Sequence, residues 1–150
     1  MGAIYYGKGD KNSIMSWIAT KILAIPGVTF VDYQRAYDSS VTPEHMPGAF
    51  VNDVTEDKQQ LLKDIVKNTF TVGVVGWTRA GFEIDGVTPE NLWKKMNVFV
   101  EAIKTKIRAD SSLGNQAYNT VIAKVRTDAG SRYPVGLFAM ILTVTYFSTS

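Results

Sequence analysis

Apolar and polar positions along this chain fall into two helical stripes and a set of alternating runs. Over residues 88–110 apolar side chains recur at Leu92, Met96, Phe99, Ile103 and Ile107, in steps of three and four, which is the period of a helix buried on one face. Trp93 and Val100 widen that stripe, while Lys94, Lys95, Glu101, Lys104 and Arg108 fall elsewhere. Thr88 offers a side-chain acceptor for an N-cap, Pro89 suits the first helical position, and Glu90 complements the helix dipole, so the pattern predicts a helix from there. A stripe this broad needs something flat beneath it. Earlier in the chain, Asn12 or Ser13 can cap a second amphipathic helix with apolar positions Ile14, Trp17, Ile18, Ile22 and Ile25, ended by Pro26-Gly27.

The flat surface comes from β-rich segments. Residues 28–34 read as a strand with Val28 and Phe30 on one face and Val31 and Tyr33 on the other. Residues 38–48 carry Ser39, Ser40, Pro43 and Pro47, a loop composition, and residues 49–54 are extended. Residues 55–68 admit two readings. Leu61, Leu62, Ile65 and Val66 suit a short helix, whereas Val66, Asn68, Phe70, Val72 and Val74 alternate as the arm of a hairpin, and the hairpin is preferred. Residues 69–78 form the clearest strand, stopped by Ala80-Gly81. After a loop at 110–115, residues 120–127 set Val121, Ala123 and Val125 against Ile122, Lys124 and Arg126, a strand exposed on one side. Asp128-Ala129-Gly130 turns the chain into an apolar run at 137–147, expected to be a central strand covered on both faces. The order helix, strand, strand, strand, helix, strand, strand indicates an α+β fold: two helices packed on a mixed, mainly antiparallel sheet, with residues 1–11 a flexible arm and 12–150 a single domain.

A chain of 150 residues can bury roughly 70% of its unfolded surface, so one sizeable core is expected. The 45% hydrophobic and 20% charged content argues against wholesale disorder, and a net charge of +2 does not call for a nucleic-acid or membrane partner. Without cysteine there are no disulfides, thiolate metal sites or cysteine nucleophiles, which is compatible with folding inside a cell. The N-terminal residues lack the apolar stretch of a signal peptide, and the apolar run near 137–142 is too short to cross a bilayer. Tyr6 stands where a myristoylation motif wants Ser or Thr.

Candidate chemistry is sparse. Gly2 to Gly9 imitates the spacing of a phosphate-binding loop, but Gly9 replaces the hydroxyl residue and no strand precedes the motif. Gly73-Val74-Val75-Gly76 lies in a strand, where glycine marks a bulge or a close backbone approach. His45, the single histidine, sits between two prolines and reads as an exposed loop residue rather than a catalytic or metal-binding one. Asp32, Asp38, Glu44, Asp53, Glu56, Asp57, Glu83 and Asp85 read mostly as turn residues, and Lys94, Lys95, Lys104, Lys106 and Arg108 as the wet face of the long helix. No metal or cofactor is expected.

Taken in order, several short motifs resemble bacteriophage tail terminator proteins, also called tail-completion or minor tail proteins. They are Ile25-Pro26-Gly27-Val28, the Met46-Pro47-Gly48-Ala49-Phe50-Val51 segment, the strand from Thr69 to Trp77, the helix from Pro89, Asp110-Ser111-Ser112-Leu113-Gly114, and Tyr133-Pro134-Val135-Gly136 before a last strand ending Val144-Thr145-Tyr146. The likeness runs from about Ser13 onward, and the glycine-rich segment before Asn12 is not part of it. The resemblance implies a non-enzymatic virion protein, made in the host cytoplasm. It would form a homo-oligomeric ring, a hexamer in relatives, at the head-proximal end of the tail. There it would end tube polymerisation and join the tail tube protein to the head-tail connector or head-completion protein, with DNA passing through but no specific nucleic-acid binding, membrane or cofactor. Ring contacts are expected from the arm, through Glu56, Asp57, Lys58, Gln59, Gln60, Leu61, Leu62 and Ile65, because Leu61 and Leu62 are apolar within a polar segment. The alternative is that both leucines enter the core. A head-completion protein or tube subunit is the nearest rival, and a small ligand-binding domain or enzyme, marked by a pocket with converging polar groups, is the rival from another class.

Overall fold

The computed structural model describes residues 10–79, 91–115, 117–128 and 133–149. Two helices and five strands follow one another as α1 (Lys11–Leu23), β1 (Phe30–Tyr33), β2 (Gly48–Leu62), β3 (Ile65–Arg79), α2 (Leu92–Ala109), β4 (Asn119–Thr127) and β5 (Val135–Thr149). The strands form one mixed sheet in the order β1-β2-β3-β5-β4, with only β1·β2 parallel. The α+β expectation holds, and residues 55–68 belong to a long hairpin rather than a helix.

Both helices lie on one face of the sheet. Ile14, Ile18 and Ile22 of α1 and Phe99, Ile103 and Ile107 of α2 meet Phe70, Val72 and Val74 of β3 and Phe138, Met140, Leu142 and Val144 of β5 in one buried cluster. Alternation along β3 and β5 selects the even-numbered residues for this face. Within the sheet the Phe138 ring of β5 lies over Gly76, where a Cβ would collide with it, so this glycine makes room for a neighbouring side chain rather than marking a bulge or a close backbone approach.

Among the described residues the opposite face is covered only near one end. The segment between β1 and β2, which includes a short 3-10 turn at Pro43–His45, folds over it and builds a second cluster from Val41, Met46, Phe50 and Trp77. The Trp77 indole N–H donates to the His45 carbonyl at 2.9 Å, and the His45 ring lies 4.3 Å from the Phe30 ring. His45 is therefore half-buried against aromatic rings, not an exposed loop residue.

Several boundaries and faces differ from the sequence expectation. Helix α1 is capped by Asp10, whose carboxylate accepts the Ser13 N–H at 2.8 Å, so the helix takes in Lys11 and leaves Asn12 and Ser13 inside it. Helix α2 is capped by Asn91, which accepts the Lys94 N–H at 2.9 Å, and Thr88, Pro89 and Glu90 lie outside the described residues. Lys95 is fully buried rather than on the wet face, and Trp93, which was to widen the apolar stripe, is 66% exposed. Strand β1 is shorter than residues 28–34. In β4 the register shifts between Ile122 and Lys124, and this bulge at Ala123 turns Ile122 and Val125 to the same, inner side. Strand β5 is central in the sheet but buried on one face only, because its odd-numbered residues are half-exposed on the side the helices leave open. Asp32, Asp53, Glu56 and Asp57 lie on strands, not in turns.

Candidate functional site

Parallel pairing with β1 covers β2 only from Gly48 to Val51, so past Asp53 the β2–β3 hairpin extends as an arm whose outer strand has no neighbouring strand among the described residues. On its inner side β5 stays paired with β3 as far as Ile65↔Thr149, which makes the arm a three-stranded extension of the sheet. Of the eight residues expected to make contacts, Asp57, Lys58, Gln59, Gln60, Leu61, Leu62 and Ile65 are exposed on this arm. Leu61 and Leu62 do not enter the core: they are 44% and 65% exposed, and Ile65 is 40% exposed on the facing strand. Three aliphatic side chains thus stand exposed at the tip of the hairpin, beyond the polar run of residues 55–60. The Gln60 side-chain amide donates to the Leu62 and Lys63 carbonyls, which holds the turn.

Glu56 is the exception among the eight. The bulge between Asp53 and Thr55 moves Glu56 onto the helix side of the sheet, opposite Phe70, where its carboxylate accepts the Tyr146 hydroxyl and meets the Lys58 ammonium at 3.3 Å. Lys58 also donates to the Asn68 side-chain oxygen at 2.8 Å, and the Asn68 amide nitrogen donates to Ser148 Oγ at 2.9 Å. Beside them, at the start of α1, the Lys11 ammonium pairs with Asp53 at 2.9 Å and lies over the Phe70 ring. Burial pushes the Glu56 carboxyl up, but the hydrogen bonds from Tyr146 and Lys58 and the charges of Lys58 and Lys11 outweigh it and hold the group below the usual carboxylate range. Burial first, then the bond to Glu56, pushes the Tyr146 phenol well above its ordinary value. The arm therefore has two parts: a polar root fastened to the core and an apolar tip that is not.

The sequence carried a trace of this root. Asn68 stands in phase with Phe70, Val72 and Val74, so an amide at an inward position announces a buried hydrogen-bonding partner. Tyr146 and Lys58, remote in the chain, carried no such signal.

Among the described residues no group of three or more His, Asp or Glu side chains is placed to hold a metal ion. A shallow depression of about 460 Å³ runs along the outer face of α2 past Asn97, Glu101 and Thr105. Gly2 to Gly9, Glu83 and Asp85 lie outside the described residues. No described helix is long and apolar enough to cross a membrane. No protein-family model matches the chain, and no curated protein matches it.

Proposed function

We propose that this protein is a structural, non-enzymatic subunit that closes into a ring, hexameric by its resemblance to tail terminators, at the head-proximal end of a phage tail. In that role it stops tube growth and presents a surface to the head-tail connector or head-completion protein, and it resides in the virion. The observation that supports the reading best is the arm: a three-stranded projection ending in exposed Leu61, Leu62 and Ile65, which meet no core among the described residues, is suited to burial in a neighbouring subunit. The order of motifs that resembles the terminators supplies the place in the virion.

Light scattering on the purified protein, with negative-stain images of the same fraction, tests this. Closed rings of about six subunits, or monomers that form rings only on added tail tubes, are expected. Long polymers would assign a tube subunit instead, and a monomer or dimer indifferent to tubes would overturn the reading. Leu61→Asp combined with Leu62→Asp is expected to abolish ring formation while leaving the fold intact, and normal assembly of that variant would remove the arm from the interface.

A further inference from the structure

Besides the short outer edge of β1, the sheet presents two exposed edges of equal length: residues 54–62 of the arm and β4, Asn119–Thr127, neither of which has a strand beyond it among the described residues. Their outward-pointing backbone groups can be assigned. In β2 the Val51 carbonyl accepts the Gln34 N–H at 3.1 Å and the Asp53 N–H reaches the Gln34 side chain, so odd residues point outward before the bulge. Past it the phase changes, and Glu56, Lys58 and Gln60 carry the free N–H and C=O groups. In β4 the Asp128 N–H bonds the Leu137 carbonyl at 3.1 Å, so the odd-numbered residues of β5 face β4 and their partners Asn119, Val121, Lys124 and Arg126 turn inward, which leaves Val125 and Thr127, and across the bulge Thr120 and Ile122, pointing outward.

Laid antiparallel in full overlap, these two edges match group for group. Glu56 meets Val125, Lys58 meets Ile122 and Gln60 meets Thr120, because the bulge at Ala123 absorbs the one-residue shift. On the open face Asp57 then stands beside Lys124, with Thr55 beside Arg126. The free β2 edge carries Glu56, Asp57 and Lys58, a net −1, whereas β4 carries Lys124 and Arg126, a net +2, so unlike edges attract and two β4 edges repel.

We propose that the outer edge of the arm, residues 54–62, pairs antiparallel with the β4 edge of a second copy of this chain, with Asp57 opposite Lys124. The two surfaces differ, so the contact is heterologous and repeats from subunit to subunit until it closes. The inference rests on the ring reading only in requiring self-association, and it names the surfaces that reading leaves open.

The absence of cysteine makes the test direct. Asp57→Cys and Lys124→Cys both alter exposed positions. Within one chain three strand spacings, about 14 Å, and the further offset along β4 from Asn119, which is level with Asp57, to Lys124 separate them, too far for an internal disulfide. Under mild oxidation the double variant should give a ladder of covalent multimers, the two single variants mixed should give a covalent dimer, and each single variant alone should give none. Asp57→Lys should raise the concentration needed for assembly about fivefold, and adding Lys124→Asp should restore it. Rings from the native chain together with no cross-linking, or dimers from a single variant alone, would overturn the edge pairing and leave the ring reading standing. A native chain that stays monomeric even on tail tubes would overturn both.

Discussion

Glu56 and Tyr146 couple the arm to the core through one proton-sensitive bond. Glu56 has a lowered folded pKa, so its contribution is present above the unfolded carboxylate value, about 4.3, and is lost as pH falls through the folded one. Asp10, Asp32 and Asp110 are lowered as well, chiefly by hydrogen bonds from the Ser13 and Tyr33 N–H groups and the Ser112 hydroxyl, and act in the same direction. Urea midpoints should therefore stay level near neutrality and fall below about pH 4, with a shallower fall in Glu56→Gln. Tyr146 acts at the other end: its raised folded pKa means that stability is complete below the unfolded phenol value, about 10, and declines above it. Tyr146→Phe should cost about 1–2 kcal/mol at pH 7, read from urea unfolding, and should flatten both limbs. Packing is equally specific at Gly76. Gly76→Ala drives a methyl into the Phe138 ring and should lower stability by about 1–3 kcal/mol, and Phe138→Leu in the same chain should cost less than the sum of the two single changes, as a double-mutant cycle would show.

Elements were legible where periodicity was long and caps were local. The α2 stripe from Leu92 to Ile107 and the β3 alternation from Val66 to Val74 report burial at spacings of four and two residues, and both elements formed as read. The misplaced features belong to single residues whose environment is assembled from distant segments. Lys95 is spaced like a solvent-facing residue yet is buried, and the bulge at Ala123 reverses the faces of β4 with no glycine or proline to announce it. The α1 start lies earlier than the expected Asn12 or Ser13 because Asp10 also carries a side-chain acceptor, and only the accepted Ser13 N–H singles it out. Asp10→Ala should thus destabilise the protein by about 1 kcal/mol, whereas Asn12→Ala, an exposed residue inside the first turn, should fall within about 0.5 kcal/mol of the parent in thermal unfolding. The candidate site was legible in part for the same reason: Leu61 and Leu62 stood out within a polar run, but their exposure depends on β1 ending early, which no local pattern encodes.

The whole molecule has an asymmetry that bears on assembly. Its helices cover one face of the sheet, the 3-10 turn segment covers one end of the other, and the arm carries apolar surface away from both cores. A chain whose tip leucines are buried only by neighbours gains stability by mass action, because unfolding must also release the subunit from the ring. If the ring forms as proposed, the apparent Tm of the native protein should rise with protein concentration, whereas Leu61→Asp with Leu62→Asp should show one lower Tm that does not change on dilution. The difference between them should vanish at concentrations where light scattering finds the native chain monomeric, since exposed positions alter monomer stability by only about 0.5 kcal/mol. A parallel set of melts on Tyr146→Phe separates the two levels. Loss of that bond weakens the monomer itself, so its Tm should fall at every concentration while the dependence on concentration persists. A native Tm independent of concentration across the range where rings are seen would mean that unfolding does not release the subunit from the ring, and would overturn this coupling of assembly to stability.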